Sequence, residues 1–261
     1  MRMITLTSDW SENDFYTGTL KGRIYSGCAD SVVIDLSHRI KQYNTAQAAF
    51  VVRNAYPSFP EGTIHIIAVN SEPRPGCRLL AARLRGQYFI SADNGIFGLL
   101  GEDQPEEVVV LPHEPVNGSY SLSPLYAFAD AACALASGRG LSEIGESAKD
   151  ITLQVPLRAT IENNTITGSV IYIDSYGNAI SNISRDLFQR IGAGRNFGIF
   201  VQSKHYRINQ LNTYYSETQP GELLALFNSA GLIEIAIRNG SASKLLNLNT
   251  DSTIRVEFSE K

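Results

Sequence analysis

Two acidic residues, Asp9 and Asp14, follow the first apolar segment of the chain, with Asn13 between them. A polar loop beyond the carboxyl end of a strand in an open α/β sheet is a favoured ligand position. A carboxylate there accepts hydrogen bonds from sugar hydroxyls or pairs with an ammonium. Asn13 or Asp14 equally suits the N-cap of the helix that follows, so the structural reading stands beside the functional one. A second polar loop, Asn70-Ser-Glu-Pro-Arg-Pro-Gly-Cys77, follows another apolar run. Two prolines and a glycine stiffen it, Glu72, Arg74 and Arg78 bring charge, and stiff polar loops are common both at sites and elsewhere. A third, Asp174-Ser-Tyr-Gly-Asn178, is a tight turn whose Asn178 amide suits the polar edge of a base while Tyr176 stacks on it. An ordinary Asx-Gly turn has the same composition. His38, His65, His113 and His205 have no metal-ligand spacing, and His65 lies inside an apolar run as a core residue would. Hydrolase-elbow, phosphate-loop and dinucleotide glycine motifs are absent. No metal and no cofactor is implied.

The elements that must position these loops change character near residues 150–156. Before that point strand and helix signals alternate, which is the pattern of an α/β layer structure. Strands are expected at Met3–Thr7, Ser31–Leu36 and Thr63–Val69, with a hairpin of Leu79–Arg83 and Tyr88–Ser91 around Gly86. Helices are expected from Asp14 to Ser26, over Thr45–Ala55 with Thr45 as its cap, and over Leu125–Ala136 with a stop at Ser137-Gly138. The segment from Pro57 to Gly62 reads as a turn. Beyond residue 150 short strands dominate: Leu157–Ile161, Thr165–Ile173, Phe197–Val201, His205–Ile208, Leu223–Asn228, Leu232–Ile237 and Thr253–Phe258. One helix intervenes at Arg185–Ile191. That spacing suits a small β-barrel or sandwich.

Composition excludes several classes. The 261 residues are 43% hydrophobic and 18% charged, enough apolar content for a substantial core. Twenty-two basic against 26 acidic residues leave a net charge of −4, which disfavours nucleic acid and acidic membrane surfaces. No apolar stretch reaches the roughly 20 residues of a spanning helix. The opening Met-Arg-Met-Ile-Thr-Leu-Thr enters a strand pattern directly, without the apolar run of a secretion signal. Three widely spaced cysteines suit free thiols, so a cytoplasmic location is expected.

Taken in order, several segments resemble the S-adenosyl-L-methionine hydrolases, also called SAM hydroxide adenosyltransferases, relatives of the fluorinase and chlorinase enzymes. They are Thr5-Leu-Thr-Ser-Asp9 with Asp14-Phe-Tyr-Thr-Gly-Thr-Leu-Lys-Gly22, Val33-Ile-Asp-Leu-Ser-His38, Phe59-Pro-Glu-Gly-Thr63 and Tyr88-Phe-Ile-Ser-Ala-Asp-Asn-Gly95. Ile173-Asp-Ser-Tyr-Gly-Asn-Ala-Ile-Ser-Asn182 and Asn228-Ser-Ala-Gly-Leu-Ile-Glu-Ile-Ala236 complete the set, which spans nearly the whole chain. The resemblance implies an α/β N-terminal domain with a mixed, mostly parallel sheet over residues 1–152. A smaller all-β, barrel-like domain would occupy residues 153–261. It implies a homotrimer, with a small-molecule ligand held where subunits meet. Asp9 would accept from both ribose hydroxyls, with Tyr43 against the ribose and Asp14 also among the substrate-binding residues. Asp174 and Ser229 would hold the methionine amino and carboxylate groups. Asn178 would read adenine, with Tyr176 and Tyr215 beside the ring and Asn228 and Glu234 in the same binding set.

The reaction residues depart from the family pattern. Family hydrolases activate water with an Asp, an Arg and a His. Asn70 stands at the Asp position, Cys77 at the Arg position with Arg78 adjacent, and Ser123 at the His position. Asn cannot accept a proton, and Ser without a partner base is a weak substitute. Glu72, the carboxylate of the altered loop, is the candidate replacement base. The implied activity is hydrolysis of S-adenosylmethionine to adenosine and methionine. The alternatives are a non-catalytic adenosine or S-adenosylmethionine binder, or a different nucleophile, of which a halide is disfavoured by the charge of Glu72.

Overall fold

Runs of aliphatic and β-branched residues set the sheet of the first half. The computed structural model describes residues 2–11, 14–101, 103–203 and 205–260. The chain divides into two units, 1–156 and 157–261. In the first, strands β1 (Met3–Ser8), β2 (Val32–Ser37) and β3 (Ile64–Ala68) are joined by helices α1 (Phe15–Gly27) and α2 (Thr45–Ala55). The hairpin β4 (Leu79–Leu84) and β5 (Gln87–Ala92) comes next, then β6 (Glu107–Leu111), α3 (Ser123–Ala136) and the short β7 (Glu146–Ser147). The strand order is β2-β1-β3-β5-β4-β6-β7. The first four strands are parallel neighbours, and β4, β6 and β7 extend the sheet antiparallel. It is the mixed sheet expected.

All five residues of β3 are buried, because both faces of the sheet are covered. Ile64, Ile66 and Ala68 pack with Leu20 and Ile24 of α1 and with Phe128 of α3. Ile67 packs on the other side with Ala48, Ala49 and Val52 of α2. Arg23 of α1 ties the two helices of the first layer, bonding Asp130 at 2.7 and 2.8 Å and lying over the Tyr126 ring. Arg85 and Gly86 both have positive φ, 49° and 74°, as a two-residue hairpin turn whose twist matches its strands requires.

The second unit holds its paired strands antiparallel. It comprises β8 (Thr160–Glu162), β9 (Thr165–Ile173), β10 (Ala179–Ser184), α4 (Arg185–Gly192), β11 (Phe197–Val201) and β12 (Arg207–Ile208). It continues with β13 (Leu223–Phe227), β14 (Leu232–Ile237), α5 (Ala242–Leu245) and β15 (Thr253–Phe258). The order is β12-β11-β15-β9-β10-β14-β13, with β8 on β9. Just past β12, the Asn212 amide donates to Ala225 O at 2.8 Å, so the two ends of the order approach and the sheet nearly closes into a barrel. Phe188 of α4 packs edge-on against Phe197, Phe227 and Phe258. Among the described residues no helix is long and apolar enough to cross a membrane.

Local details differ from expectation. The cap of α2 is Asn44, whose side chain accepts from the Gln47 amide at 2.9 Å; the Thr45 hydroxyl instead donates to Gln154. The strand expected at Leu157–Ile161 is reduced to Thr160–Glu162, since the Leu157 carbonyl accepts from the Asn182 side-chain Nδ2 at 2.9 Å and not from a ladder. Strands β6, β7 and β10 and helix α5 had no expectation.

The core of the first unit holds a titratable group, His65. His65 on β3 is 1% exposed, with Nδ1 2.7 Å from the Thr5 hydroxyl and Nε2 2.5 Å from Gln87 Oε1. Its ring stacks on Phe89. Burial lowers its pKa from 6.5 to about 4, against a smaller opposing effect of Gln87. A group depressed in this way binds its proton in the unfolded chain first. Its stability contribution is therefore complete above pH 6.5 and is lost as pH falls toward 4, by about 3 kcal/mol in all. Urea unfolding of the wild type and of His65→Gln should differ in pH dependence across that window, with the variant flatter. Equal slopes would refute the assignment.

Candidate functional site

Parallel strands bring their carboxyl ends to one edge of the sheet, and three loops meet there. Thr7 pairs with Ser37 and Ser8 with Ala68, so the residues after β1, β2 and β3 emerge side by side. Asp9 sits at the centre. Its Oδ2 accepts from the Tyr43 amide at 2.9 Å and from the Asn70 amide at 3.1 Å. Both donors are in the left-handed region, with φ 64° at Tyr43 and 48° at Asn70. Each such conformation costs a non-glycine residue about 1–2 kcal/mol and persists only where surrounding bonds enforce it. A carboxylate receiving both amides is such a constraint. On the far side of Asn70, the Asn94 side chain donates to Val69 O at 2.8 Å and to Asn70 O at 3.3 Å. The ring closes outward through the Tyr43 hydroxyl, which donates to Glu72 Oε1 at 2.9 Å. Glu72 holds the Tyr43 phenol above its ordinary pKa.

These loops enclose a cavity of about 290 Å³ whose lining includes Asp9, Asp14, Tyr43, Asn70 and Glu72. Trp10, Tyr16 and Gln42 also line it, together with Ser121, Leu122, Pro124 and Leu125 at the start of α3. Asp14 occupies the N-cap of α1 in extended conformation, yet its side chain makes no capping bond. The capping reading thus fails for Asp14, and Asn13 lies outside the described residues. His38 is a strut: its Nδ1 is 2.7 Å from the Ser8 hydroxyl and its Nε2 3.0 Å from Asp35 Oδ1.

Two of the expected reaction residues do not line this cavity. Arg78 is committed to Asp93 through Nε at 2.9 Å and through Nη2, which also donates to Asp150 O at 2.7 Å. The cause is a local bond network, because Asp93 also accepts the Thr152 amide and fixes the end of the first unit. Ser123 is 1% exposed and lies behind the wall its neighbours Leu122 and Pro124 form; among the described residues its hydroxyl has no partner. Cys77 is half-buried and burial raises its thiol pKa. Trp10, Tyr16, Gln42 and Asn94 escaped the sequence reading. Only Asn94 carried a signal, as the middle of the Asp-Asn-Gly turn after β5.

The second unit gathers the remaining candidates. Asp174 Oδ1 accepts the Tyr176 and Asn178 amides at 2.9 and 2.8 Å, and Oδ2 accepts the Asn178 side chain at 3.0 Å. Asn178 is buried, whereas Tyr176 is 78% exposed. Glu234, also buried, accepts from the Tyr215 hydroxyl at 2.6 Å and from Asn228 Nδ2 at 3.3 Å. Burial, then Glu234, then the Asp174 charge raise the Tyr215 phenol pKa. Ser229 is exposed on the turn that Asn228 Oδ1 organises by accepting the Ala230 and Leu232 amides. Carboxylates beside exposed tyrosine rings suit a polar, planar ligand. Among the described residues no group of three or more His, Cys, Asp or Glu side chains is placed to hold a metal.

Comparison with known proteins covers both units. The family described as SAM hydroxide adenosyltransferase N-terminal domain matches residues 4–145, and its C-terminal domain counterpart matches residues 168–255. A protein of Methanocaldococcus jannaschii named (R)-S-adenosyl-L-methionine hydrolase is 28% identical, over 98% of this chain and 96% of its own. A fluorinase of Actinopolyspora mzabensis is 25% identical, over 97% and 96%. A crystal structure of an uncharacterised conserved protein from Thermotoga maritima shares the fold, with TM-score 0.83 at 22% identity, covering 97% of this chain and 99% of that one.

The Asp174 turn depends on Gly177. Its φ is 84°, and a Cβ there would lie 2.0 Å from the Ser241 hydroxyl oxygen. Gly177→Ala should destabilise the protein by about 2 kcal/mol or more in urea unfolding. Adding Ser241→Gly removes the nearest clash but leaves Ser243 Oγ 2.9 Å away and the backbone strain, and loses the Ser241 cap of α5, so recovery should be only partial. Full recovery would show that the backbone conformation costs nothing.

Proposed function

The chain belongs to the SAM hydroxide adenosyltransferase family, and from that premise we propose that it hydrolyses S-adenosyl-L-methionine to adenosine and L-methionine. The observation that carries the reading is Asp9. Its Oδ2 is saturated by two backbone amides while, among the described residues, Oδ1 accepts nothing and is left for a ribose hydroxyl. Water attacks C5′ of the ribose. The new O–C5′ bond forms as C5′–S breaks, sulfur keeps the electron pair as the neutral thioether of methionine, and the water proton passes to Glu72. Tyr43 holds Oε1 of that carboxylate, which leaves Oε2 for the proton. The sulfonium is an excellent leaving group, so positioning supplies much of the rate and the base a factor of about 10²–10⁴. Asn70 contributes its backbone amide to Asp9 and cannot act as base. In the second unit Asp174 and Ser229 hold the amino and carboxylate groups of methionine, and Asn178 reads the adenine edge. Tyr176 and Tyr215 lie against the ring, with Asn228 and Glu234 fixing Tyr215. The same reading makes the protein a cytoplasmic homotrimer. Light scattering should give about three times the 28.6 kDa chain mass, and a monomer would overturn that part.

A second reading, a non-catalytic binder of adenosine or S-adenosylmethionine, is favoured by one observation. Arg78 and Ser123, the residues at or beside two positions of the expected Asp-Arg-His set, do not line the cavity. Incubation with S-adenosylmethionine and chromatography for adenosine separates the two readings.

Two substitutions test the roles. Asp9→Asn keeps size and an oxygen for the amides but removes charge, so adenosine affinity should fall about 10- to 150-fold with little change in melting temperature. Near-normal affinity in calorimetry would exclude Asp9 as the ribose ligand. Glu72→Gln should cut adenosine release at least about 100-fold while adenosine affinity stays within about threefold. Undiminished release would remove Glu72 from the chemistry.

A further inference from the structure

We propose that Glu72 makes the cavity choose its ligand by charge, preferring the sulfonium cation over neutral molecules that carry the same adenosyl group. The proposal rests on the S-adenosylmethionine reading of this site and deepens it. Asp9, Asp14 and Glu72 line the cavity, and no Lys, Arg or His is among its lining residues. Arg78 is spent on Asp93 outside it, Arg74 is exposed on the same loop, and His38, Arg39 and Lys41 line an adjoining groove and not this cavity. Three aromatic rings complete the wall: Trp10, Tyr16 and Tyr43, the first two with centroids 5.8 Å apart. Aromatic faces attract cations independently of any carboxylate. Glu72 differs from the other two acids in being tethered by its oxygen to one of those rings, through the Tyr43 hydroxyl. Its charge is therefore held at the cavity edge and not swung into solvent.

The consequence concerns product as well as substrate. Hydrolysis removes the positive charge from sulfur, and adenosine carries none. The attraction that favours the substrate vanishes as the C5′–S bond breaks, so the same wall that captures the cation releases the nucleoside. An anion gains nothing here, because the carboxylates repel it.

Trp10 is the one tryptophan of the chain and lines the cavity, so its fluorescence reads occupancy. Affinities are measured for S-adenosylmethionine, S-adenosylhomocysteine and adenosine in the wild type, Glu72→Gln and Tyr43→Phe. The first two ligands differ only by a methyl group and its charge. The wild type should prefer the sulfonium by about tenfold at low salt, with the preference shrinking as ionic strength rises to about 0.5 M. Glu72→Gln should lose about three- to tenfold of that preference while binding the neutral ligands unchanged. Tyr43→Phe keeps the carboxylate but removes the hydroxyl that tethers it, so the preference should fall, by less than in Glu72→Gln. Equal wild-type affinities for the two sulfur ligands, or a preference unchanged in Glu72→Gln, would overturn the proposal. Charge preference without adenosine release leaves it standing and defeats the hydrolase reading. Release without charge preference does the reverse, and no binding of any of the three defeats both.

Discussion

One carboxylate oxygen organises the first unit's functional edge. Asp9 Oδ2 receives two backbone amides from loops 34 and 61 residues away, and both amide residues sit in a conformation the chain would otherwise avoid. The energetic logic is reciprocal. Charge-assisted bonds of this kind are worth about 1.5–3 kcal/mol each, enough to offset the backbone strain at Tyr43 and Asn70. In return the two loops fix the side chain of Asp9, which lines the cavity. Removing the acceptor oxygen would release the loops, and relaxing the loops would free the side chain.

That clamp explains why the altered loop after β3 still presents a shaped surface. Asn70 is gripped by Asp9 on one side and by Asn94 on the other, so residues 71–73 start from a fixed point. Pro73 and Pro75 restrict the backbone beyond it, since each fixes its own φ. Glu72 then meets the Tyr43 hydroxyl, and the loops after β2 and β3 are linked at both base and tip. Arg78, at the other end of the loop, belongs to a different assembly with Asp93 and the chain near Thr152. A one-residue shift of the loop would not bring it into the cavity without breaking that assembly.

The second unit solves a similar problem with carboxylates that organise turns within their own neighbourhood. Asp174 folds its own loop by accepting three bonds from within five residues, and Gly177 supplies the left-handed step that no side chain could make beside Ser241. Glu234 is kept in a buried position by two donors, Tyr215 and Asn228, which satisfy the oxygens that burial deprives of water. Both arrangements leave aromatic surface exposed next to fixed polar groups.

What the sequence determined is what depends on near neighbours. Strands β9, β11, β14 and β15 have the limits their apolar runs indicated, because two-residue alternation and bounding turns are local signals. The Arg85-Gly86 hairpin and the Gly138 stop of α3 follow from backbone preferences that each residue carries anywhere. The position of Asp9 at a strand's end was legible for the same reason. Its partners were not. Tertiary structure alone decided that Asp9 binds Tyr43 and Asn70, that Arg78 turns to Asp93 and Asp150, and that Ser123 lies behind Leu122 and Pro124. These contacts pair residues far apart in the chain, or bury a residue by layers packed from elsewhere. A side chain's type records what bonds it can make, whereas which of them it makes is set by the fold that delivers the partner.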